Sequence, residues 1–187
     1  MANSKLIGND YEREFSKKLS NWVSYHKNDD IFWRDYSSGS RFTKRKQEEK
    51  DTNYKGDIIC QIPEFKKWTD FLYIDTKSYK KFNPLFINLN NIGSNLIFQQ
   101  WLKTNQDCPK YQLPMMPCKI RDRVTPEFII FHRSTYFEER TRCIYYHFPY
   151  DEHCCYLVLQ DEFFKNEDPE EFYKRNIIYW KNKKNLI

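Results

Sequence analysis

GDIICQIPEFKKWTDFLYIDTKSY, residues 56–79, holds two apolar runs separated by a turn. Gly56 opens the apolar run GDIICQI, Pro63 and Glu64 mark a turn, and FLYIDTKSY from Phe71 to Tyr79 resumes the alternation, so two strands are predicted. In the second strand Phe71 and Tyr73 lie on one face and Leu72 and Ile74 on the other, and apolar residues on both faces predict a central strand. Successive strand residues face opposite ways, so Asp75 and Lys77 project from the same face. Burying such a charged pair is a costly route to stability, which invites a functional reading. If Asp57 ends on the neighbouring strand, the two carboxylates can share a hard cation such as Mg²⁺, which prefers oxygen ligands and keeps several waters. That set suits phosphodiester hydrolysis, with Lys77 orienting a water or stabilising charge at phosphorus.

An acid, one residue and a lysine form a weak pattern alone, and this chain contains it three times. Glu48 and Lys50 fall in a polar loop and Glu64 and Lys66 follow Pro63 in a turn, whereas Asp75 and Lys77 continue an apolar strand.

On the N-terminal side, Tyr11, Phe15, Leu19, Trp22 and Val23 recur at helical spacing and predict an amphipathic helix from about Asn9 to Tyr25. Glu12 lies on the edge of that apolar stripe, while Glu14 points to the far side. Asn9 followed by Glu12 also fits a capping box, so the sequence alone leaves two roles open for this acid. Ile31, Phe32 and Trp33 suggest a short strand, and SSGSRFTKRKQEEKDTNYKG from Ser37 to Gly56 reads as a long polar loop. Its basic residues Arg41, Lys44, Arg45 and Lys46 favour contact with a polyanionic substrate.

On the C-terminal side, a helix is predicted from about Ile92 to Asn105, with Ile92, Leu96 and Ile97 supplying apolar spacing ahead of Gln99, Gln100, Trp101 and Lys103. Strands are predicted in EFIIFHR from Glu127, CIYYHF from Cys143 and CYLVLQ from Cys155. A last helix starts at Asp168, where Asp as cap, Pro169 and Glu171 form a start signal. The order of helices and strands predicts an α/β fold with a mixed central sheet flanked by helices.

A length of 187 residues fits one domain over 1–187, and hydrophobic and charged contents of 40% and 30% fit a soluble globular protein. The net charge of +5 is modest, but Lys44 to Lys46, then Lys77, Lys80 and Lys81, then Lys181, Lys183 and Lys184 are clustered in ways that can neutralise phosphates. The opening MANSKLIGND lacks the apolar core of a signal peptide, and no apolar run approaches the ~18 residues of a membrane helix. A cytoplasmic protein without membrane contact is expected, with its cysteines as thiols. A zinc site from Cys108, Cys118, His147, His153, Cys154 and Cys155 is disfavoured by their spacing.

GNDYEREF at the start of the first helix, FWRDYSSGS before the loop, GDI on the first motif strand and IDTK on the second occur in an order that resembles the PD-(D/E)XK nuclease superfamily. The likeness is to archaeal Holliday-junction resolvases and related phage-encoded endonucleases in particular, and covers about residues 8 to 80. It implies a restriction-endonuclease-like core over about residues 8–133, followed by C-terminal strands and a helix over about 143–184. It implies a DNA endonuclease in which Asp57, Asp75 and the Thr76 backbone carbonyl bind Mg²⁺, with Mn²⁺ able to substitute. Lys77 then assists catalysis, and Glu12 is a further acid and metal ligand. Ser38 and Ser40 match small residues that meet the scissile phosphate or DNA backbone, and Gln99, Gln100 and Lys103 line the substrate channel. Branched or junction DNA is among the substrates implied, and paired incisions at a junction suggest a two-fold homodimer. The alternative is a DNA-binding or regulatory protein whose nuclease site has decayed. Gly56 stands in place of the family's proline, and Asp75 where glutamate is more usual.

Overall fold

The computed structural model describes residues 4–35, 56–80, 96–121, 126–146 and 154–184. The helix α1 (Ser4–Val23) buries Tyr11, Phe15, Leu19, Trp22 and Val23 to 4% exposure or less, as an amphipathic stripe should. It begins at Ser4 rather than Asn9, so Asn9 lies within the helix and the capping-box reading of Glu12 fails. Gly8 does not stop the helix, because an interior glycine costs only about 1 kcal/mol. The helix closes where Tyr25 and His26 turn left-handed (φ 53° and 63°), with the His26 N–H on the Asn21 carbonyl at 2.7 Å. Glu14, expected on the far side, instead pairs with Lys119, since both side chains are long enough to meet across the gap between helix and sheet.

β1 (Phe32–Arg34) pairs antiparallel with β2 (Ile58–Cys60). The turn expected after β2 is a 3-10 turn, Pro63–Phe65, that runs into a short helix, α2 (Lys66–Phe71). Phe71 therefore ends a helix rather than opening a strand. Trp68, Thr69 and Phe71 turn inward, so α2 forms because one of its sides can reach the core. β3 (Leu72–Ile74) and β4 (Lys77–Tyr79) follow, and both run parallel to β5 (Leu113–Ile120) in the same register, so they are one strand path interrupted at Asp75 and Thr76. Beyond β5 come β6 (Phe128–His132), β8 (Cys155–Leu159) and β7 (Cys143–Tyr146), each antiparallel to its neighbour. The three strands predicted after residue 126 are all present.

β5 was not foreseen, because Pro114 and Pro117 argue against a central strand. The ladder accommodates both. Asp75 N–H donates to the Met115 carbonyl and Arg121 N–H to the Tyr79 carbonyl, so odd-numbered residues of β5 face β3 and β4. By this alternation Pro117 faces the interruption beside Asp75, where its missing N–H leaves the Asp75 carbonyl without a ladder donor. Pro114 faces the β6 side, where pairing starts only at Met115. β3 was expected to be central and lies instead at the end of the described sheet, its outer side meeting an isolated bridge from Gly56 to Ile74. Its residues are nonetheless apolar on both faces because helices cover both.

One side of the sheet carries α1, α2, α4 (Gln160–Asn166) and α5 (Pro169–Lys184), whose Phe15, Trp22, Trp68, Phe163 and Phe172 pack against Met115, Ile129, Phe131 and Val158. The other side carries α3 (Leu96–Asp107), where Ile97, Phe98 and Trp101 pack against Met116, Phe128, Ile130 and Leu157. The protein is thus α/β, with a mixed sheet flanked by helices. Asp168 caps α5 by accepting the Glu171 N–H at 3.0 Å, as its start signal implies. Leu96, counted toward the inner face of α3, is 55% exposed, since it opens the helix one residue ahead of the buried Ile97. Among the described residues no helix is long and apolar enough to cross a membrane.

Candidate active site

Gly56 sets the geometry of the site. Its φ is +76°, and a Cβ there would lie 2.4 Å from the Ile74 carbonyl oxygen. Only glycine lets the two backbones approach so closely. The contact allows the Asp57 N–H to donate to that carbonyl at 2.7 Å, while the Asp57 carbonyl accepts the Asp35 N–H, also at 2.7 Å. Asp57 is thereby pinned between β1 and β3. Gly56→Ala should lose about 2–4 kcal/mol through steric overlap and left-handed strain combined. Urea unfolding checks this, and a variant as stable as the wild type would mean that the close approach is not rigid.

The side chains of Asp57, Asp75 and Thr76 follow from these anchors, and each residue is 8% exposed. Asp57 Oδ2 accepts the Thr76 N–H at 2.8 Å and the Thr76 hydroxyl at 3.2 Å. Its Oδ1 receives no hydrogen bond from any described residue. Asp75 Oδ1 pairs with Lys77 Nζ, and its Oδ2 accepts the Thr104 hydroxyl. Asp75 and Lys77 share the sheet face covered by α3, as alternation predicts. Glu12 pairs with Arg34 Nε on β1, both side chains being mostly buried.

The electrostatics tie these groups together. Burial, then the negative charge of Asp75, pushes the Asp57 carboxyl up to about 7, with Glu12 adding to the rise and Lys77 and the Thr76 amide opposing it. Burial also raises Glu12, against the pull of Arg34 and Lys77. Two acids held at low exposure within reach of each other's charge make a site that favours a cation or a proton.

No family model, curated protein or solved structure matches the chain.

Glu12, Asp57, Asp75, Thr76 and Lys77, singled out from the sequence, come together. Gln99 and Lys103 are exposed on α3 and Gln100 is half-buried there. Ser38, Ser40, Arg41, Lys44, Arg45 and Lys46 lie outside the described residues, as do His147 and His153. Among the described residues no group of three or more His, Cys, Asp and Glu side chains is arranged to hold a metal ion. The set at Asp57 and Asp75 contains two carboxylates, with Glu12 engaged by Arg34. Sequence reasoning missed Thr104 and Arg34. Thr104 continues the buried stripe of Ile97 and Trp101, and a hydroxyl on such a stripe was the available signal.

Proposed function

We propose that the chain is a metal-dependent DNA endonuclease of the PD-(D/E)XK type, built on a restriction-endonuclease-like core. The observation that supports it best is the pair of low-exposure carboxylates, Asp57 and Asp75, set beside Lys77 at a break in an apolar strand. Asp57 Oδ1 is left without a described donor. The residues fit a hard divalent cation, Mg²⁺ or Mn²⁺, through the oxygens of Asp57 and Asp75. The Thr76 N–H donates to Asp57 Oδ2, and the family resemblance adds the Thr76 backbone carbonyl to the set.

When bound, such an ion lowers the pKa of a water and polarises a phosphate oxygen. Lys77 places its ammonium beside Asp75, where it hydrogen-bonds the attacking water or stabilises negative charge developing on the phosphoryl oxygens. Glu12 is the further acid, held in place by Arg34. The substrate is DNA, with branched or four-way junction DNA the class we favour, and paired incisions would require two copies about a two-fold axis.

A thermal-shift series tests the cation site without relying on activity. The Asp57 carboxyl is raised from 3.8 to about 7 in the fold. A raised group contributes stability that is complete below its unfolded pKa and is lost as pH rises through the folded pKa. In EDTA the melting temperature should therefore fall between about pH 4 and pH 7, the interval between the unfolded and folded values. Mg²⁺ selects the ionised form, so it should stabilise the wild type more at the upper end of that window. Asp57→Asn should lose the greater part of that slope, with Glu12 keeping a smaller one of its own, and should lose the Mg²⁺ response. The same pH slope in wild type and Asp57→Asn would remove Asp57 from this account.

A further inference from the structure

We infer that Thr104 is a positioning residue of this site, fixing the carboxylate of Asp75 in the orientation that a divalent cation needs. The inference rests on the metal-site reading above and adds a residue from an element outside the sequence motif. The Thr104 hydroxyl donates to Asp75 Oδ2 at 2.5 Å, and Thr104 is fully buried. Asp75 Oδ1 is held by Lys77, so each oxygen of the carboxylate has its own partner and the plane of the group is set.

The contact arises from packing. Ile97, Phe98, Trp101 and Thr104 form the buried stripe of α3, which brings Thr104 over the sheet against Met116, whose sulfur lies 3.4 Å from the hydroxyl. Met115 is the register partner of Ile74, so Met116 lies beside Asp75 on the sheet face that α3 covers. A mid-helix threonine commonly returns its hydroxyl to the carbonyl one turn back. Here it reaches a carboxylate on another element. Removing the donor leaves Asp75 Oδ2 without its partner in a site of low exposure and frees the carboxylate to pivot toward Lys77. Partners that orient metal-binding side chains typically matter by 10- to 100-fold in metal affinity.

The test is Mn²⁺ binding by calorimetry without DNA, on the full chain, with urea unfolding in EDTA on the same preparations. Thr104→Val keeps the shape and removes the hydroxyl, and Thr104→Ser keeps the hydroxyl and removes a methyl. The valine variant should bind Mn²⁺ roughly 10- to 100-fold more weakly, while the serine variant should keep wild-type binding even if it is the less stable protein. A packing role makes serine the more damaging change. If the valine variant does not fold, Thr104→Ala against Thr104→Ser gives the same contrast, since the two differ only in the hydroxyl. Equal Mn²⁺ binding by wild type and folded valine or alanine variant would overturn the inference alone. A wild type that binds no Mn²⁺ would overturn it together with the metal site.

Discussion

Asp75→Asn should reduce DNA cleavage by orders of magnitude while leaving DNA binding intact. Asparagine keeps the size of the side chain and an oxygen for the Thr104 hydroxyl, but removes the charge that attracts a divalent cation. Taking an acid away from the phosphates also relieves repulsion, so in EDTA the variant should bind DNA at least as tightly as the wild type. A purely structural Asp75 forecasts the opposite. Leaving the half-buried Lys77 without its carboxylate would then cost ~3–5 kcal/mol, and the remaining folded fraction would cleave normally. Melting, binding and cleavage on one preparation separate the two. Full activity from a folded Asp75→Asn protein would end the assignment at this site.

Lys77→Met should lower the cleavage rate by roughly 10²- to 10³-fold, the usual loss when one donor that stabilises transition-state charge is removed. Methionine keeps most of the stem but loses the ammonium that pairs with Asp75 Oδ1. Asp75 then carries an uncompensated charge, held among the described residues by the Thr104 hydroxyl, and a divalent cation is the natural replacement. Mg²⁺ should therefore raise the melting temperature of Lys77→Met by more than that of the wild type. Metal binding and turnover would move in opposite directions. Cleavage that recovers fully at high Mg²⁺ would show that Lys77 only tunes metal affinity and takes no part in the chemistry.

Much of this was legible because it follows from short-range patterns. The stripe of α1, the strands after residue 126 and the Asp168 start of α5 each depend on spacing within one element, and each formed as read. The shared face of Asp75 and Lys77 needed only the alternation of a strand. β5 was not legible, because the rule against proline in a central strand is correct about the missing N–H and silent about which edge it faces. Pro117 faces a gap and Pro114 precedes the β6 ladder, facts that belong to register and not to composition. Thr104 was hidden for a related reason: its partner is set by how α3 packs over the sheet. Glu12 was correctly placed on the inward edge of α1, but its capping alternative failed because the helix starts before Asn9, and its partner Arg34 comes from another element.

In the proposed function Asp57, Asp75 and Lys77 form a cation-dependent hydrolytic site for DNA. The most direct measurement is incubation of the wild-type chain with linear duplex, single-stranded and four-way junction DNA, in Mg²⁺ and in EDTA, with strand breaks resolved on a denaturing gel. Mg²⁺-dependent cleavage is expected, strongest on the junction, and none in EDTA. Binding of DNA without cleavage of any substrate in Mg²⁺ or Mn²⁺ would contradict it and leave a DNA-binding protein on this fold. Equal cleavage in EDTA would contradict the metal site itself.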